Sequence, residues 1–238
     1  GVGANQVGVV TKAREMGLFT VAVDGSPDAP GLRYADAAEV ADILDPAELV
    51  RVGRRYGVDA IYPAAEPGVE ASARAGQELG LPGVSAEVGF RVRNKLAMRE
   101  ALQAQGVPGP AYRGVNSLEE AEAAAQAIGL PVIVKPADAN ASKGVQRVDH
   151  IEDMALAFPT ALKFSRSKTV LIESFMEGEE FNVDGLVFDG EYRLGGMTGK
   201  ERSDPPYRYD VGIHMPPRMA DATRDAIVEG NRVSNSAQ

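Results

Sequence analysis

Lys135 closes the apolar run Pro-Val-Ile-Val at 131–134, and a short polar loop then leads to Ser142, Lys143, Gly144 and Val145. An ammonium at the end of a buried strand beside a glycine-bearing loop suits a polyphosphate. Loop N–H groups approach phosphate oxygens closely where glycine removes the β-carbon, and lysines bring charge on flexible stems. A lysine in an otherwise buried strand needs a counter-charge, and a phosphate would supply it. A second segment, Thr-Val-Leu-Ile-Glu at 169–173, leads into an acid-rich stretch that includes Glu180. An edge exposing Glu173 and the backbone of Ser174, Phe175 and Met176 would hydrogen-bond a base, and Glu180 would hold ribose hydroxyls. Together the two segments predict the two halves of a nucleotide cleft. Lys95 follows Asn94 at a helix start, where a cation opposes the dipole unless an anion is near.

Each residue taken singly has a plainer reading. Surface glutamates are common, a first-turn lysine is usually solvated, and Ala-Ser-Lys-Gly-Val by itself reads as an exposed hairpin tip. The opening Gly-Val-Gly-Ala-Asn-Gln-Val-Gly is a candidate dinucleotide turn, with Asp24 as its ribose-binding acid. Its third glycine would fall at Gln6, however, so the fingerprint fails. A tight turn in an ordinary doubly wound sheet is the plainer account, and Asp24-Gly25-Ser26-Pro27 is then simply a turn. A nicotinamide-dependent oxidoreductase stays as the alternative, and it leaves Lys135, Lys143 and the Glu173–Glu180 pair unexplained.

The elements that must carry these residues alternate at first. Helical spacing covers 5–17, with Val7, Val10, Ala13 and Met16 on one side. Strands are predicted at 19–24, buried on both faces, at 39–43 and at 59–64. Helices are predicted from Pro46 to Gly57 and from Gly68 to Gly80. This order implies a parallel sheet with helices on both faces, whose ligands bind beyond the carboxyl ends of the strands. Residues 85–106 read as helical, and Val-Pro-Gly-Pro at 107–110 is a rigid break. After it come a helix capped by Ser117 with Glu120 in a capping box, strands at 131–136 and 145–148, a helix over 151–164 broken by Pro159, and a strand at 169–174. A hairpin turned at Asp189-Gly190 follows. The expected fold class is α/β: a Rossmann-like parallel-sheet domain over 1–106 with a helical linker from about 85, an α+β lid over 107–180, and the start of a larger subdomain over 181–238.

Composition limits the alternatives. Among 238 residues, 25 Lys and Arg face 34 Asp and Glu, a net charge of −9. Without a basic run, such a chain is a poor partner for nucleic acid, where phosphate contacts dominate affinity. The absence of cysteine excludes disulfides, zinc–thiolate sites and thiol catalysis, and two histidines, His150 and His214, make a histidine-built metal site implausible. No stretch has the length of a membrane span and no signal peptide is visible, so a cytoplasmic protein is expected. The chain lacks an initial methionine, and both ends read as cut from a longer protein.

Three ordered segments resemble the ATP-grasp superfamily, and most of all its carboxylate–amine ligases, the amino-acid ligases and purine-biosynthetic members. They are Lys-Leu-Ala-Met-Arg-Glu-Ala-Leu from Lys95, the Lys135 strand with its Ser-Lys-Gly-Val loop, and Leu-Ile-Glu-Ser-Phe-Met-Glu-Gly-Glu-Glu-Phe-Asn-Val-Asp-Gly from Leu171. The segments at 26–36 and 204–217 are similar to the amino-acid ligase branch. The resemblance implies ATP with Mg2+, and a small-molecule carboxylate and amine joined through an acyl phosphate. A bicarbonate-using branch that forms carboxyphosphate is the alternative, and a nucleotide-binding module without catalysis is a third reading. The resemblance further implies that Lys95 and Lys135 bind the α- and β-phosphates, that Ser142–Val145 cover the polyphosphate, and that Glu173 meets the adenine amino group. The backbones of Ser174 and Met176 would hold the ring edge and Glu180 the ribose. Lys200 and His214 would approach the γ-phosphate and substrate, while Gly3 and Glu66 would contact the specific substrate. No acid present matches the magnesium ligands, which are expected beyond Gln238, so little catalysis is expected of this stretch alone. A homodimer is left open.

Overall fold

The computed structural model describes residues 1–188, 191–203 and 210–235, with 231–235 described by backbone alone. The Asp189-Gly190 turn and residues 204–209 lie outside the described residues. Two compact units divide the chain, Gly1–Asn94 and Lys95–Gln238.

In the first unit, helices α1 (Val7–Glu15), α2 (Pro46–Tyr56), α3 (Val69–Leu79) and α4 (Ala86–Arg93) accompany β1 (Val21–Asp24) and β2 (Ala37–Val40). The strands run parallel, with Val21 opposite Ala37 and Asp24 opposite Val40. Helix α2 starts where the Asp45 carboxylate accepts the Ala47 N–H at 2.9 Å and ends at Gly57, whose φ of 58° only glycine adopts without strain. Three expectations need correction. Strand β1 begins two residues late, is not buried on both faces, and leaves Phe19 exposed, because β2 is its one ladder partner among the described residues. The second strand lies at Ala37–Val40 rather than 39–43. Residues 59–64 form no strand. A ladder requires a neighbour within hydrogen-bonding reach, and instead an apolar cavity of about 580 Å³, bounded by Val21, Val23, Ile61 and Tyr62, lies there.

The second unit opens with α5 (Lys95–Ala104) and builds a four-stranded antiparallel sheet from β3 (Tyr112–Val115), β4 (Val132–Pro136), β5 (Gln146–Val148) and β6 (Val170–Ser174), in the order β3-β6-β4-β5. Alternation along the strands sorts their side chains onto two faces. Val115, Val132, Val134, Val148, Val170 and Ile172 point one way, onto α6 (Leu118–Ile128) and α7 (Met154–Phe164). The cap of α6 forms as expected at Ser117, but Glu120 reaches back to the N–H of Asn116, one residue earlier than a capping box requires. Pro159 does not break α7. An interior proline costs about 3 kcal/mol. Met154 and Phe158, each buried and contributing about 1.5–3 kcal/mol, offset it.

Tyr112, Ile133, Lys135, Leu171 and Glu173 share the other face, because Glu173 stands opposite both Tyr112 and Ile133, and Lys135 opposite Leu171. Helix α5 reaches this face with Leu96, Arg99 and Gln103, spaced as one helical stripe. Leu96 fills the space a β-carbon at Gly114 would need, and Gln103 accepts a hydrogen bond from the Tyr112 hydroxyl at 2.6 Å. Beyond the sheet, β7 (Phe181–Phe188), β8 (Glu191–Arg202) and β9 (Asp210–His214) form an antiparallel sheet, followed by α8 (Asp221–Asn235). Among the described residues no helix is long and apolar enough to cross a membrane.

One polar anchor fixes the segment after β4. The Asp138 carboxylate accepts from the Ser165 hydroxyl and the Arg166 N–H, each at 3.0 Å, and from the Ser167 N–H at 2.7 Å. Burial pushes this carboxyl up, but those donors outweigh it and hold its pKa below the usual aspartate range. A depressed pKa in the folded state stabilises above the unfolded value and is lost as pH falls through the folded one. Asp138→Ala is therefore expected to lower stability by about 2 kcal/mol at neutral pH. In paired denaturation curves the difference from the parent should begin to shrink as the pH falls below about 3.9 and continue to shrink as it passes through the lowered folded value.

Candidate functional site

Glu173 is the acid of a buried trio. Its Oε1 accepts from Arg99 Nε at 2.7 Å and its Oε2 from Lys135 Nζ at 2.5 Å. The side chains are 6%, 19% and 15% exposed respectively, so all three charges are largely withdrawn from water. This corrects one expectation and qualifies another. Glu173 is not on an exposed edge, since β6 lies between β3 and β4 and α5 reaches the face that carries its carboxylate. Lys135 also has a counter-charge within the chain, Glu173. The trio nevertheless holds two cations and one anion. Burial lowers the Lys135 pKa, Glu173 opposes that shift, and Arg99 adds to it. Burial raises the Glu173 pKa, but the hydrogen bonds from Arg99 and Lys135 overcome it and hold the group ionised. Counted by itself, the trio carries one positive charge in excess, which an anion would balance.

Lys95 is brought to the same segment. Its N–H donates to the Ala137 carbonyl at 2.7 Å and its ammonium to the Ala139 carbonyl, just past the end of β4. The loop beyond is tightly wound, with Ala141, Ser142 and Gly144 at φ of 55°, 54° and 72°. Lys143 N–H bonds to Asn140 O and Val145 N–H to Ser142 O, while the Lys143 side chain is exposed. Gly144 is required twice over, since a β-carbon there would lie 2.9 Å from Phe164 Cδ2 and 3.2 Å from Ala161 Cα. Gly144→Ala is expected to cost about 1–2 kcal/mol from the left-handed conformation alone, with loop displacement added. A chemical denaturation midpoint equal to the parent's would contradict this.

The expected base-binding edge is narrower than predicted. The Ser174 N–H is committed to the Ala111 carbonyl at 2.8 Å and the Phe175 N–H to the Pro131 carbonyl at 3.1 Å, so neither is free to donate to a base. The Phe175 ring lies 4.2 Å from the Arg147 guanidinium, in a cation–π stack, and Met176 is exposed.

Glu180 belongs to a second cluster. Its carboxylate accepts from Lys200 at 3.1 Å and from Arg202 Nε at 2.9 Å, and Asp210 meets Arg202 at 2.8 Å and Lys200 at 3.6 Å. Burial acts to raise the Glu180 pKa, but Arg202 and Lys200 together hold it low. Here the predicted ribose ligand faces cations of its own chain. The register sets Lys200 opposite Ile213 and Gly199 opposite His214, which puts Lys200 and His214 on opposite faces of the sheet. The His214 ring occupies the space over Gly199, with Nδ1 buried and unpartnered among the described residues.

In the first unit, Gly3 accepts the Gln6 N–H at 3.0 Å, and Glu66 pairs with Arg93 on α4. Both oxygens of Asp24 are engaged by backbone, the Val2 N–H at 2.7 Å and the Ser26 N–H at 2.9 Å, which is the turn reading and not that of a free ribose acid. Arg99 was not singled out from the sequence. Its one signal was helical spacing, four residues after Lys95.

Among known proteins, the chain is similar to a formate-dependent phosphoribosylglycinamide formyltransferase of Geobacter metallireducens, 33% identical over 184 residues, covering 74% of this chain and 46% of that one. It is also similar to an alanine–anticapsin ligase of Bacillus amyloliquefaciens, 28% identical over 211 residues, covering 79% and 44%. The chain thus spans about half the length of the curated relatives it matches. The solved L-amino acid ligase of Bacillus licheniformis superposes with a TM-score of 0.82 at 24% identity, over 96% of this chain and 56% of that one, which establishes a shared fold. The family model described as D-ala D-ala ligase C-terminus matches residues 102–230. These residues span the Lys135 strand, its glycine loop, Glu173 and both sheets of the second unit. By that match the chain belongs to the D-ala D-ala ligase C-terminus family of the ATP-grasp superfamily.

Proposed function

We propose that the chain binds ATP, and that it serves an enzyme joining a carboxylate to an amine. In that reaction a carboxylate oxygen attacks the γ-phosphorus and ADP leaves. The amine then attacks the acyl carbon and phosphate departs. The first step asks of the protein mainly positioning and charge neutralisation. The observation that carries the reading is the buried Arg99–Glu173–Lys135 trio with one positive charge in excess, beside Lys95 and a glycine-bearing loop. The relatives' names support it, since formate and alanine are both small carboxylates. Lys95 and Lys135 would take the phosphates, and residues 142–145 would close over them. Ser174 and Phe175 have spent their N–H groups, so the Met176 backbone remains as a donor for the base. Among the described residues no three acids or histidines converge on one point.

Thermal-shift titration with ATP against NAD tests the binding. ATP should raise the melting temperature and NAD should not; stabilisation by NAD alone would end the ligase reading. Phosphate release across a panel of carboxylates, amines and bicarbonate then separates ligation from the carboxyphosphate branch.

A further inference from the structure

We infer that Arg99 is a positioning residue of the ATP site: by holding Oε1 of Glu173 it fixes the carboxylate so that Oε2 aims the Lys135 ammonium. This rests on the proposed ATP reading, and it assigns to α5 a part in nucleotide binding beyond that of Lys95.

The geometry supports it in three ways. First, Arg99 and Lys135 divide the two carboxylate oxygens, one each, at 2.7 and 2.5 Å. Without Arg99, both oxygens would be free to close on Lys135 and turn its ammonium away from any phosphate. Second, Arg99 is itself held in place. Leu96 and Gln103, on the same helical stripe, lock α5 against Gly114 and Tyr112 of β3. Third, among the described residues Arg99 from α5 and Lys135 from β4 are the cations paired with Glu173. Arg147 of β5 shares the face, opposite Ile133, but is committed to Asp149 at 2.6 Å, and the Tyr112 hydroxyl opposite Glu173 on β3 is engaged by Gln103. A phosphate that drew Lys135 toward itself would leave Glu173 still ionised and held by Arg99. The acid could then release the lysine without becoming a buried, unpaired charge.

The test uses Arg99→Met, which keeps length and removes charge, and Arg99→Lys, which keeps charge. The first readout needs no nucleotide. The 13C-carboxyl resonance of Glu173 should titrate at higher pH in Arg99→Met and return toward the parent value in Arg99→Lys. The second readout is ATP affinity. Arg99→Met should weaken it about tenfold, Arg99→Lys by less than threefold, and Arg99→Met placed on Lys135→Met should add less than twofold. An unmoved Glu173 titration, or equal additive losses in both backgrounds, would overturn the assignment. A parent chain that bound no ATP would sink the proposed function instead, with the carboxyl titration still judging whether Arg99 holds Glu173. Should Arg99→Met fail to fold, Arg99→Lys decides: a tenfold loss with an intact melting curve contradicts the role of charge, and near-parent affinity supports it.

Discussion

Glu173→Gln should destabilise the second unit by about 3–5 kcal/mol, the largest stability loss expected of any single substitution in the site. The glutamine is isosteric, so packing on the second face of the sheet changes little. What changes is the charge count. The parent trio carries one excess positive charge, and without the carboxylate it carries two, both withdrawn from water. The glutamine oxygen can accept from one cation only, which leaves its NH2 group facing the other. Hydrogen exchange of the amides in β4 and β6 measures the loss locally, and a change under about 1 kcal/mol would show that water already solvates the cations. Adding Lys135→Met to Glu173→Gln restores a single buried cation, so the double variant should be more stable than Glu173→Gln alone. Lowering the pH should reproduce part of the effect. The folded pKa of Glu173 is depressed, so its contribution is present at neutral pH and is lost as pH falls from the ordinary glutamate range, about 4.3, through the lowered value.

What was legible in the sequence was local. Pro46 and Gly57 bound a helix because their backbone preferences act on their own residues, and Ser117 caps one for the same reason. The apolar runs ending at Lys135 and Glu173 placed both residues on strands, and that is where they are. Which face α5 reaches was not legible. Arg99 and Glu173 are 74 residues apart, and nothing in either segment states that a helix stripe at 96, 99 and 103 meets a strand at 173. For that reason the counter-charge of Lys135 was sought in a ligand when the chain supplies it. The same limit explains residues 59–64, predicted as a strand from their composition, where no ladder forms because a ladder depends on a neighbour. It also explains β3, which was not predicted: Leu96 of α5 fills the space beside Gly114, a contact that nothing in either segment states. Lys200 and His214 differ again. Both were placed on strands, but only the pairing of Gly199 with His214 shows that their side chains leave the sheet in opposite directions.

Lys135→Met should behave in the opposite manner to Glu173→Gln, sparing the fold and removing the ligand. With the ammonium gone, Glu173 keeps Arg99 at 2.7 Å, so an ion pair without excess charge remains and the unfolding transition should shift by less than about 1 kcal/mol. The affinity for ATP should fall about 100-fold. Two losses act together: a charge-assisted hydrogen bond to phosphate, and the net positive charge that draws an anion into a poorly solvated site. A hundredfold change corresponds to about 2.7 kcal/mol, within the range for truncating one partner of a buried charge pair. Lys135→Arg should recover little, because a planar guanidinium cannot occupy the position of a compact ammonium 2.5 Å from Oε2 without displacing Glu173 from Arg99. Isothermal titration with ATP, at two salt concentrations, reads both losses. Affinity equal to the parent's in Lys135→Met would mean that the phosphates are held elsewhere, and that the excess charge of the trio serves only the internal balance of α5 against the sheet.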